Sequence, residues 1–123
     1  MTNDYAAFPG RMLRAVVQVG ATSGDQTIIA APGASKAIWV TGYRLRAQTA
    51  VGVQWRDTGG TVAVTHSGTM YMDDDGKGGV GEPVSPYPCF QLANNMGLVL
   101  NLDGAQKVGG YVTYRVTPNT VIS

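Results

Sequence analysis

Apolar side chains recur at every second position through most of this chain of 123 residues, and that spacing constrains its fold more than any other feature. Trp39, Tyr43, Leu45 and Ala47 alternate with Val40, Gly42, Arg44 and Arg46. Val51, Val53 and Trp55 alternate with Gly52, Gln54 and Arg56, and Val62 and Val64 with Ala63 and Thr65. Leu98, Leu100 and Leu102 repeat the pattern, as do Val112, Tyr114 and Val116. Successive side chains of a strand point to opposite faces, so a period of two marks strands with one face buried and one wet. No stretch holds a 3.6-residue period with caps, and 90–96 has room for one helical turn at most. Such alternation builds antiparallel sheets.

Residue types agree with the spacing. The chain has a single Glu, Glu82, and 3 Lys against 15 Val and 12 Thr, so helix-surface residues are scarce and sheet formers abundant. Turn chemistry separates the runs: 12–19 stops at Gly20 and Thr22-Ser23-Gly24-Asp25, and 26–31 stops at Pro32-Gly33. Met70-Tyr71-Met72 and Phe90-Gln91-Leu92 read as short strands around a loop, 73–88, rich in Asp, Gly and Pro. The expected fold is all-β: an antiparallel β-sandwich of jelly-roll type with about eight strands. It occupies 12–123 as one domain and follows an irregular N-terminal arm, 1–11.

Charge and cysteine content narrow the function. A net charge of +1 gives no basis for a polyanion binder, so no nucleic acid is expected as a partner. Cys89 is the only cysteine, which excludes an intrachain disulfide and implies no oxidising compartment. The start, Met1-Thr2-Asn3-Asp4, lacks the basic and apolar regions of an export signal. No apolar run approaches the roughly 18 residues of a membrane span, so no membrane association is expected.

Four constellations resemble chemistry, and each has a plainer reading. Gly76-Lys77-Gly78-Gly79-Val80-Gly81 matches G-x-G-x-x-G, but three aspartates precede it and Glu82-Pro83 stands where a helix would begin. A dinucleotide site needs that helix, so the segment reads as a loop. Asp73-Asp74-Asp75 with Glu82 falls partly into EF-hand register, yet Tyr71 would occupy the first ligand position. The cluster reads as a solvated hairpin tip, with a cation loop of another kind left open. His66 and Cys89 are each alone of their type; Cys89 reads as a small buried hydrophobe and His66 as the start of a turn. Asp25, Asp57, Asp103 and Glu82 all fall in turns, so no acid–base pair is assigned. The chain is expected to be no enzyme and to need no cofactor or metal.

Arginines and the arm offer binding groups instead. Arg44, Arg46 and Arg56 occupy the positions alternate to Tyr43, Leu45, Val53 and Trp55, and are expected together on the outer face of one sheet. Guanidinium groups suit planar pairing with carboxylates on a partner. Tyr5, Phe8 and Pro9 cannot bury themselves within so short an arm, and Tyr5 and Phe8 are candidate anchors in a neighbouring subunit.

The chain also resembles a known family through a succession of blocks. They are Ser23-Gly24-Asp25-Gln26-Thr27-Ile28-Ile29-Ala30-Ala31, Ile38-Trp39-Val40-Thr41-Gly42-Tyr43-Arg44-Leu45, Val51-Gly52-Val53-Gln54-Trp55, Leu98-Val99-Leu100-Asn101-Leu102 and Val108-Gly109-Gly110-Tyr111-Val112-Thr113-Tyr114. This succession, over about 12–117, resembles small β-sandwich proteins encoded among the structural genes of tailed bacteriophages. Some of those resemble decoration, or cement, proteins that bind the outside of the capsid as trimers. The blocks are strand and turn grammar, so no catalytic motif carries over. The resemblance implies a virion role and trimers without fixing the part of the virion; the expectation is a structural protein made in the host cytoplasm and seated on the outer capsid surface, where it stabilises the shell. Its partners would be the major capsid protein and itself, as a homotrimer. A receptor- or glycan-binding module of a head or tail fibre is the alternative, with Trp39, Trp55 or tyrosines stacked on sugar and a cation at Asp73–Asp75.

Overall fold

The structure, a computed structural model, describes residues 11–59, 65–72, 79–85 and 87–118. Nine strands and no helix are found among them: β1 (Leu13–Val19), β2 (Gly24–Ile29), β3 (Lys36–Ala47), β4 (Val51–Asp57), β5 (Met70–Met72), β6 (Gly79–Glu82), β7 (Phe90–Gln91), β8 (Leu98–Leu102) and β9 (Val108–Pro118). They form two antiparallel sheets, one ordered β1-β9-β3-β6 with β7 also on β3, the other β2-β8-β4-β5. The expected all-β antiparallel sandwich is what the residues build.

The pairings are nested. β1 pairs with β9, β2 with β8, β3 with β6 and β7, and β4 with β5, as in one long hairpin bent between β4 and β5. Rolling that ribbon adds the β3–β9 and β4–β8 pairs and divides it into two sheets. The inward faces bury Val17, Val19, Leu45, Val53, Leu98, Leu100, Leu102, Val108 and Val112. Trp55 is 0% exposed at the centre, with Tyr43 edge-on at 5.3 Å and Phe90 tilted at 6.4 Å. Removing this much apolar surface from water is the main favourable term in folding, and the cross-strand pairs fix the register.

Several sequence expectations need correction. The phase of β3 is not constant: the register against β9 shifts between Val40 and Gly42. Ile38 and Val40 point inward before this bulge and Tyr43, Leu45 and Ala47 after it, so Trp39 falls on the outer face opposite Arg115. A bulge inserts one residue and reverses the alternation. Thr41, the inserted residue, is 0% exposed, and its hydroxyl donates to Thr113 Oγ1 at 3.1 Å. Within the expected loop 73–88, Gly79–Glu82 is strand β6, paired to β3 from Tyr43 to Arg46. The segment 90–96 starts as β7 and continues into a turn. Cys89 is exposed and does not belong to the core. The expected strand around Val62–Thr65 lies mostly outside the described residues; Thr65 itself bridges to Arg56.

Candidate functional site

Residue pairings across β1, β9, β3 and β6 assemble a face from outward positions that the sequence keeps apart. One row runs Val16, Tyr111, Arg44 and Gly81; the next runs Gln18, Gly109, Arg46 and Gly79. Arg14 stands on the Thr113 side of the first row and lies over the Tyr111 ring at 4.3 Å. Such a cation–π contact holds the guanidinium in place while leaving its edges free to pair. Arg44 and Arg46 are exposed, and their glycine neighbours raise no side chains against them. Val16 is 71% exposed on the same face. Arginine and tyrosine around an exposed aliphatic residue are the types that supply binding energy at protein interfaces. A hollow of about 370 Å³ between Arg44, Tyr111 and β6 gives the face relief.

Arg56 does not join this face. β4 belongs to the other sheet, so Arg56 projects from the opposite side of the sandwich, beside Val99. The chain changes sheets between β3 and β4, and matching alternation on consecutive strands carries no information about that crossing. Arg56 Nη1 instead meets Asp25 Oδ1 at 3.4 Å, and Asn101 Nδ2 donates to the same oxygen at 2.7 Å. An exposed pair of this kind contributes at most about 1 kcal/mol. Tyr5 and Phe8 lie outside the described residues, as do Asp73–Asp75 and Gly76–Gly78.

Asp57 and His66, read from sequence as separate turn residues, are brought together. Asp57 closes β4, is 2% exposed, and accepts hydrogen bonds from the Gly59 backbone N–H at 2.8 Å and His66 Nε2 at 3.1 Å. The His66 ring stacks on Phe90 at 5.5 Å, and its backbone N–H donates to the Trp55 carbonyl at 2.7 Å. Ser67, the hydroxyl next in sequence, accepts from the Trp55 backbone N–H and donates to the Gly68 carbonyl. The pair therefore ties the start of the 65–72 segment to β4. Among the described residues no group of three or more His, Cys, Asp or Glu side chains converges as a metal site.

Tyr43 and Cys89 carry shifted protons. Burial first, then the charge of Glu82, holds the Tyr43 phenol above its ordinary 10.0, while its hydroxyl donates to Met70 Sδ at 3.3 Å. Cys89 is exposed as a residue, yet shielding of its thiol, followed by Glu82, raises it above its ordinary 9.0. Above those ordinary values the unfolded chain gives up protons that the fold retains, so stability falls as pH rises through them. Replacing Tyr43→Phe and Cys89→Ser together should flatten the urea-midpoint curve between about pH 8 and 11. An alkaline limb identical to that of the parent protein would place the loss in other groups.

No protein-family model, curated protein or solved structure matches this chain.

Proposed function

We propose that the chain is a non-enzymatic structural protein of a bacteriophage virion, a decoration or cement protein that binds the outer capsid surface as a trimer. The observation that carries this reading is the outer face of β1-β9-β3, where Arg14, Arg44 and Arg46 surround Tyr111 and the exposed Val16. An exposed sheet face with these residue types suits docking on another protein's surface better than enclosing a small substrate. The nested strand pairing supports the jelly-roll description, an architecture found in capsid and lectin domains. Each subunit would make one modest contact, and trimerisation would multiply three such contacts through effective concentration. Binding the assembled shell alone would stabilise it by mass action.

Tyr71, 76% exposed on β5, and Tyr87, 66% exposed, favour the glycan-binding alternative, since exposed rings can stack on sugar. Trp55 cannot take part, being wholly buried. Light scattering on a sizing column tests the trimer: a species near three times 12.9 kDa is expected. A clean monomer would remove the preformed trimer, and specific, calcium-dependent signals on a glycan array would then replace decoration by the alternative.

A further inference from the structure

Where β1, β3 and β9 end together, the sheet holds a cleft of about 530 Å³ that adjoins the arginine face. Gln18, Gln48, Arg46 and Lys107 stand around its rim, and beneath it the Val19, Ala47 and Val108 side chains turn away into the core. Gly109 stands in the register directly between Gln18 and Arg46. Neighbouring strands lie about 4.8 Å apart, so those two side chains flank a bare trough roughly 10 Å wide.

Gly109 has no conformational need to be glycine. Its φ lies outside the left-handed region, and an added Cβ would meet only the Val17 carbonyl oxygen at 3.8 Å, an ordinary contact. Glycine inside a strand weakens it, and one use for it there is to let a ligand or another backbone approach closely. Among the described residues the rim has two cations and no acid, so its charge complements an anion. A guanidinium pairs with a carboxylate through two parallel hydrogen bonds, and the glutamine amides can serve a peptide backbone. Among the described residues no aromatic ring lines the cleft to offer a nucleobase or a sugar a stacking platform.

We infer that the trough over Gly109 is a slot for a carboxylate-bearing stretch of a partner polypeptide, gripped by Arg46 and Lys107 and lying along the bare glycine. This deepens the decoration reading and rests on it only for the identity of the partner as a capsid protein. The test uses two fluorescein-labelled probes in anisotropy titrations: a hexapeptide alternating Leu with Glu, and an oligothymidylate of equal charge. The peptide should bind more tightly; Arg46→Ser and Lys107→Ser should each weaken it about threefold to fivefold, and Gly109→Val, which fills the trough, about tenfold. Gly109→Val should keep or raise the urea midpoint, because valine is the better strand former. Peptide affinity indifferent to Gly109→Val, absent peptide binding, or tighter binding of the oligothymidylate would each overturn the slot. A trimeric mass without peptide binding discards the slot and leaves decoration standing; peptide binding by a monomer does the reverse to the trimer.

Discussion

Gly110→Ala should destabilise the fold by about 4 kcal/mol, combining roughly 1–3 kcal/mol of backbone strain with a similar cost of forced overpacking. Gly110 has a φ of +143°, a region that L side chains rarely enter. An added Cβ would also collide with the Arg44 carbonyl oxygen and lie 3.1 Å from Leu45 Cα. It sits in β9 opposite both Val17 and Leu45, within the ladder that runs from Lys36↔Pro118 to Ala47↔Val108. The clash sets the added Cβ, fixed by the β9 backbone, against the β3 backbone, so no rotamer change can relieve it. A domain of this size has about 5–15 kcal/mol in all, so the variant should unfold at a much lower urea concentration. The adjacent change, Gly109→Ala, should leave the midpoint nearly where it was. A Gly110→Ala midpoint equal to that of Gly109→Ala would mean that β9 does not approach β3 as closely as described.

The contrast between these neighbours shows what could be read in the sequence and what could not. The alternation in Val51–Trp55, Leu98–Leu102 and Val112–Val116 reports directly on burial, and each of those residue sets does face the core. Alternation is blind to a bulge, so it gives Trp39 the phase of Tyr43 although Thr41 reverses it. It is equally blind to which sheet a strand joins, and so puts Arg56 with Arg44 and Arg46. β6 was missed because Gly79, Val80 and Gly81 carry too few side chains to show a period, and backbone pairing to β3 alone makes them a strand. Asp57 and His66 meet only because the chain returns against the end of β4, a closure with no local signature.

The candidate face was half legible. Arg44 and Arg46 announced themselves by alternation, while Arg14, Val16 and Tyr111 reach them only through the pairing of the first strand with the last. Arg14 had a signal in sequence, since it alternates with Leu13 and Ala15, but the outward Val16 blurred it. Gly109 gave none: a glycine that the backbone does not need can be told from one that it does only when φ and the space around it are known.

The proposed decoration role is tested most directly by sedimentation of the purified protein with assembled, undecorated phage heads, beside unassembled capsid subunits. The protein should pellet with heads and not with free subunits, with a dependence on salt that reports the arginine contacts. Replacing Arg14, Arg44 and Arg46 together by Ser should remove about 1 kcal/mol per contact, which compounds to roughly 100-fold in affinity per subunit and more for a trimer. Arg56→Ser, on the opposite face, should leave occupancy unchanged. Protein that stays in the supernatant at every salt concentration, or a triple variant that pellets as well as the parent, would contradict the claim that this face decorates a capsid.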